Sequence, residues 1–166
     1  WCLLFPMEYI FEDFISGFIQ DRFSDHWNVE YQKQNLWLTN SPNAFLMKHD
    51  LFLTPKGNNS KRSVIIDTKY KIREMNIDDK KKGINQPDMY QMVSYAYRNG
   101  CNNVILLYPN ATENLNEPNQ FKIMSGFSGK NEINILAADV PIWTSNEIGN
   151  LEQALADRLN NLFELL

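Results

Sequence analysis

The sequence predicts an α/β fold in which a mixed β-sheet core is flanked by α-helices. Three observations carry this expectation. Apolar residues recur at helical spacing at the beginning, middle and end of the chain. Short apolar runs bounded by turn formers fill the stretches between. The resulting order is helix, strands, helix, strand, hairpin, helix, which suits a sheet with helices packed against it.

The first helix is predicted over 7–19. Met7, Ile10, Phe11, Phe14, Ile15, Phe18 and Ile19 follow the i, i+3, i+4, i+7 rule, and Pro6 suits a first helical turn. Glu8 and Glu12 lie one turn apart, off the centre of that stripe. Strands are predicted at 27–32, 35–39 and 45–54, with Pro42 and Asn43 separating the last two. A turn-rich loop over 54–62 leads into Ser63-Val-Ile-Ile-Asp-Thr-Lys-Tyr-Lys71, a buried strand that becomes polar halfway along. Residues 74–86 read as a polar loop or frayed helix. The second helix, 87–98, starts at Pro87 and Asp88, carries Met89, Met92, Val93 and Ala96 on its apolar stripe, and stops at Gly100. A strand at 104–108 is closed by Pro109. Alternating segments at 121–127 and 132–136 form a hairpin. The last helix, about 145–165, has a Thr144 to Glu147 capping box and a stripe of Ile148, Leu151, Leu155, Leu159, Leu162 and Leu166.

At 166 residues the chain is long enough for one domain, spanning 1–166. Apolar residues at 43% and charged residues at 22% exclude a disordered tail or a disulfide miniprotein. A formal net charge of −4 argues against gripping nucleic acid by bulk electrostatics alone. It leaves open an enzyme whose clustered carboxylates are neutralised by a metal. Cys2 and Cys101 have no partner motif and read as free buried thiols in a reducing cytoplasm. No apolar run approaches the roughly 20 residues of a membrane helix. The chain opens on Trp1 rather than Met, as a piece of a longer protein would.

The most informative segment is Val64-Ile-Ile-Asp-Thr-Lys69. Three aliphatics drive a strand into the core, and a carboxylate and an amine follow two residues apart, on one face of the strand. If 45–54 pairs with 63–71, Asp50 comes to lie beside Asp67. Two carboxylates held close repel unless a cation or proton sits between them. These residues point to metal-assisted hydrolysis. Mg²⁺ would take oxygen from Asp50, Asp67, the Thr68 backbone carbonyl, water and a substrate phosphate, with Glu12 completing the shell directly or through water. Lys69 would orient or deprotonate the attacking water. On the second helix, Gln91 and Tyr95 share a face distinct from the apolar stripe. Taken singly, each of these residues has a bland account, and a lone Asp-x-Lys is commonly a weak surface pair. Their order along the chain favours a site.

That order, Asp50, Asp67-Thr-Lys69, then Gln91-x-x-x-Tyr95, resembles the PD-(D/E)xK nuclease superfamily. Phe5-Pro-Met-Glu-Tyr-Ile-Phe-Glu-Asp-Phe14, Ile65-Ile-Asp-Thr-Lys-Tyr-Lys71, Asp88-Met-Tyr-Gln-Met-Val-Ser-Tyr95 and Leu106-Leu-Tyr-Pro109 narrow the resemblance. They are similar to the nuclease domain of the McrC family, the cleavage subunit of McrBC modification-dependent restriction systems. The resemblance extends over nearly the whole chain, including the late strands and final helix. It implies a restriction-endonuclease-like fold. It also implies a Mg²⁺-dependent (or Mn²⁺-dependent) DNA endonuclease with Asp50, Asp67 and Lys69 as catalytic triad and Gln91 near the metal or phosphate. Glu12 matches less securely, since Glu8 lies on the same helix. The implied partners are DNA and a McrB-like AAA+ GTPase that recognises methylated cytosine, in the cytoplasm and away from membranes. His49 stands where the superfamily name expects Pro. The resemblance also implies an N-terminal region that meets the GTPase and is expected to be missing from these 166 residues. Two other readings stand beside this one, a stand-alone nuclease of the superfamily and a non-catalytic DNA-holding scaffold.

Smaller features carry expectations as well. Strand alternation places His49 opposite Asp50, partly buried and hydrogen-bonded. Lys80, Lys81 and Lys82 read as a solvated loop, with a phosphate contact as the rival reading, and Arg98 is a comparable candidate. Trp27, Trp37 and Trp143 read as core rather than as stacking platforms.

Overall fold

The computed structural model describes residues 5–32, 36–57, 62–74, 76, 78–112, 114–124, 132–145 and 148–166. Its elements, in order, are α1 (Met7–Phe23), β1 (Trp27–Tyr31), β2 (Leu36–Asn40), β3 (Asn43–Met47), β4 (Leu51–Pro55), β5 (Val64–Thr68), α2 (Gln86–Asn99), β6 (Asn103–Asn110), β7 (Asn119–Met124), β8 (Glu132–Pro141) and α3 (Ile148–Glu164). Six strands form one mixed sheet in the order β1-β4-β5-β6-β8-β7, while β2 and β3 make a separate hairpin. The β5, β6 and β8 strands run parallel and the outer pairs antiparallel. This is the helix-flanked mixed sheet that the restriction-endonuclease resemblance implies.

Strand alternation divides the core in two. Val64 and Ile66, with Ile105, Leu107, Leu136, Ala138 and Val140, face α1 and α3. Ile65, with Val104, Leu106, Tyr108, Ile135 and Ala137, faces α2. Because β5, β6 and β8 are covered on both faces, they read as near-continuous apolar runs. Such a run turning polar at Asp67 puts a buried carboxylate near the end of the strand. Gly100 ends α2 at φ +60°, with its N–H bonded to the Tyr97 carbonyl. That left-handed position suits glycine.

Several expectations are corrected. The predicted 45–54 strand is two strands in different sheets, because Lys48-His49-Asp50 leaves the ladder between β3 and β4. Its broken backbone is paired elsewhere: the Tyr95 hydroxyl donates to the Lys48 carbonyl at 2.5 Å, and the Gln32 N–H to the Asp50 carbonyl at 2.9 Å. The α1 stripe is narrower than predicted. Phe11, Ile15 and Ile19 are buried, as are Glu12 and Ser16, whereas Met7, Ile10 and Phe14 are exposed. The final helix starts at Ile148 rather than 145, and Glu147, on which its capping box rested, lies outside the described residues. Trp27 is core, but Trp37 and Trp143 are exposed. Cys101 is a buried free thiol as expected; Cys2 lies outside the described residues.

Candidate active site

The end of β5 is where the chain assembles its charged groups. Leu51 pairs with Ile66 in the β4–β5 ladder, so one further step brings Asp50 opposite Asp67. Asp50 does not float there. Its Oδ2 accepts from both the backbone N–H and the hydroxyl of Thr68, each at 2.6 Å. The middle residue of Asp67-Thr-Lys69 thus clamps the remote aspartate. This role was not foreseen, although a hydroxyl residue at that position was visible in the sequence.

Asp67 points to the α2 face with 2% of its surface exposed. The Lys69 ammonium lies 2.5 Å from its Oδ2, confirming that i and i+2 share a face. At that distance the ammonium serves Oδ2 both as its charge partner and as its donor. Burial, then the nearby Asp50 charge, push the Asp67 carboxyl up to about 7 against the opposing pull of Lys69. The site holds a carboxylate that wants more positive charge than one ammonium supplies.

Lys69 is itself aimed. Its ammonium donates to Gln91 Oε1 at 3.0 Å, the Gln91 amide nitrogen donates to the Tyr95 hydroxyl at 2.8 Å, and Tyr95 donates on to Lys48. An ammonium has only donors, so the direction of the whole chain is fixed at its first member. Gln91 and Tyr95 therefore tie α2 to both β5 and the Lys48–Asp50 crossing. Lys71, two residues further along, pairs with Asp88 in the first turn of α2.

Glu12, not Glu8, is the α1 acid at the site. Glu8 is exposed, whereas Glu12 is buried, accepts from Gln32 Nε2 at 2.7 Å and feels Asp50. Burial raises the Glu12 carboxyl, the Gln32 bond lowers it and Asp50 raises it. Among the described residues, no three His, Cys, Asp or Glu side chains gather into a ready metal cage.

His49 departs from expectation. It is 3% exposed, stacks on Phe52 and meets the Tyr95 ring edge-on, and its Nδ1 has no partner. Strand alternation did not apply because Lys48–Asp50 is not strand. Arg98 is engaged structurally, donating to the Trp37 carbonyl at 2.9 Å and Asn40 Oδ1 at 2.8 Å, which ties α2 to the β2–β3 hairpin. Lys80 and Lys81 are exposed on a turn organised by Asp79, whose carboxylate accepts from the Lys81 and Gly83 N–H groups. Those two bonds hold the Asp79 carboxyl below its usual range.

The family model for McrBC 5-methylcytosine restriction system components matches residues 1–109. That span contains Glu12, Asp50, Asp67, Lys69, Gln91 and Tyr95, and stops short of β7, β8 and α3. No curated protein matches the chain. With two thirds of the sequence matched, including every residue of the charged cluster, the chain belongs to the McrBC 5-methylcytosine restriction system component family.

Proposed function

We propose that this chain is the Mg²⁺-dependent DNA endonuclease domain of a McrBC-type restriction system. It cleaves phosphodiesters when partnered with an AAA+ GTPase that recognises methylated cytosine. The observation that carries this reading is the Asp50–Asp67–Lys69 cluster. Two sequence-remote carboxylates couple at the end of a core strand, and burial with that like charge raises one of them to about 7 despite its lysine partner. Perturbed carboxylates of this kind mark functional sites more often than structural ones.

The donor set fits a hard divalent cation. Asp50, Asp67 and the Thr68 carbonyl supply only oxygen, and Mg²⁺ accepts one or two carboxylates and keeps several waters. Two carboxylates rather than a three-acid cage suit that habit, with Glu12 acting through water. When bound, the cation acidifies a coordinated water and neutralises charge on the phosphoryl oxygens.

The chain's own residues do the rest. Thr68 fixes the Asp50 carboxylate by two donors, so its orientation is set before substrate arrives. Lys69, held by Gln91, places a positive charge where a non-bridging phosphate oxygen would gain negative charge in an in-line displacement. Without metal the Asp67 carboxyl stands at about 7, and a bound cation would supply the positive charge that holds it ionised. The α1 and α3 helices pack on one face of the sheet and α2 on the other, so substrate would approach the strand ends, where Glu12 and Gln91 flank β5, rather than a sheet face.

The test is cleavage of methylated and unmethylated duplex DNA by the reconstituted complex, with and without GTP, Mg²⁺ and Asp67→Asn. Methylation-, GTP- and Mg²⁺-dependent cleavage lost in Asp67→Asn supports the reading. Cleavage without partner or GTP identifies a stand-alone nuclease. Full cleavage by Asp67→Asn removes the active-site assignment.

A further inference from the structure

Gln32 sits at the end of β1, half-buried, with φ +44°, a left-handed conformation uncommon for a non-glycine residue. Such a conformation persists where surrounding contacts over-determine it, and here they are countable. Its backbone N–H donates to the Asp50 carbonyl at 2.9 Å. Its side-chain amide donates at 2.7 Å to Glu12 Oε1 and at 2.7 Å to the Tyr31 hydroxyl. Tyr31 passes its own proton to Asp13 Oδ1 at 2.7 Å. One residue, just past the end of β1, therefore grips the main chain of one site acid and the side chain of another.

The charges around Glu12 show why a neutral donor is placed there. Asp50 and Asp13 present like charge to it, and Lys48 opposite charge. A glutamine adds hydrogen-bond donors without a net charge and without competing for the carboxylates as an ion pair.

We propose that Gln32 is a positioning residue of the active site, holding Glu12 and Asp50 in the pose that hydrolysis uses. This rests on the endonuclease reading above. Gln32 touches no reacting atom; it acts through the two acids, as outer partners of metal-site carboxylates do.

The test compares Gln32→Gly and Gln32→Glu with the unaltered full protein in its complex. It measures kcat and KM for DNA cleavage, Mn²⁺ binding by calorimetry, and thermal melting. Glycine adopts the left-handed conformation freely, so Gln32→Gly removes the side chain while leaving the backbone unstrained. Its melting temperature should not fall. Its kcat should drop by about 10- to 100-fold or its Mn²⁺ affinity by a similar factor, with KM for DNA unchanged. Gln32→Glu, which keeps the length but replaces the donors with a third negative charge, should lose more. Unchanged kcat and Mn²⁺ affinity in Gln32→Gly overturn the proposal, as does a loss of activity that merely follows a fall in melting temperature. Asp67→Asn in the same assay separates the two readings. If it retains cleavage, the endonuclease reading fails first; if it is dead while Gln32→Gly is intact, only the role of Gln32 fails.

Discussion

Two buried acid–base pairs stand on the same face of the same sheet, and they are built differently. Asp67–Lys69 lies on and just beyond β5; Arg73–Asp139 joins the chain leaving β5 to β8. Asp139 Oδ1 takes Arg73 Nε at 3.2 Å and Nη2 at 3.0 Å, and its Oδ2 takes the Asn116 amide at 3.0 Å. Arg73 in turn reaches Asn119 at 3.0 Å and lies over the Tyr108 ring. Asp67 has one ammonium at Oδ2 and a like-charged neighbour in Asp50. The first carboxylate has its partners already; the second is left short of positive charge. Burial alone therefore does not separate a structural ion pair from a reactive one. The balance of positive charge and donors around the carboxylate does.

The largest effects should divide along that line. Asp67→Asn should cut cleavage by about a thousandfold, equivalent to the several kcal/mol that charge stabilisation supplies in such a site, while leaving the protein folded. Arg73→Met should do the reverse. Stranding a buried Asp139 costs about 3–5 kcal/mol of stability in urea melts, with the activity of the folded fraction retained. A stable but inactive Arg73→Met would break the comparison.

The pH dependence of stability sharpens it. The Asp67 carboxyl is raised from the usual 3.8 to about 7, so the folded protein binds a proton there that the unfolded chain has released. This contribution is fully present below pH 3.8, declines as pH rises through that interval, and is lost above about 7. Asp67→Asn removes the decline. In metal-free buffer it should therefore be more stable than the unaltered protein at pH 8, by about 2–4 kcal/mol, and little different at pH 4. A parallel pH profile for the two proteins would contradict this.

Smaller effects follow the chain that aims Lys69. Gln91→Leu should reduce kcat by about 10- to 100-fold, since a hydrogen bond to an ionised group is worth about 1.5–3 kcal/mol. Tyr95→Phe removes the hydroxyl that Lys48 and Gln91 share, and should lower stability by about 1 kcal/mol with less than tenfold loss of rate.

Much of the fold was legible because the stripes of α2 and α3 and the aliphatic runs of β5, β6 and β8, strands covered on both faces, are plain in the sequence; on α1 the stripe placed the helix but not its buried face. Asp50, Asp67 and Lys69 were legible by order and spacing. What escaped was whatever depends on the chain leaving regular structure. The break at Lys48–Asp50 falls on three polar residues between two apolar runs, with no proline or glycine to mark it, and is stabilised by groups of α2 and β5 that local pattern does not reveal. Gln32 escaped for the same reason, since nothing local demands its conformation. Arg73 and Asp139 are 66 residues apart, Arg73 in a charged stretch after β5 and Asp139 inside an apolar strand, and it takes the parallel pairing of β5 with β6 and of β6 with β8 to bring them to one face.

The account turns on whether the Asp50 and Asp67 carboxylates share a divalent ion. Anomalous difference density from crystals soaked in Mn²⁺ tests this directly. A peak roughly 2.0–2.6 Å from an oxygen of each aspartate and from the Thr68 carbonyl, absent in Asp67→Asn crystals, is the predicted result. Density elsewhere on the molecule only, or an undiminished peak in Asp67→Asn, would contradict it.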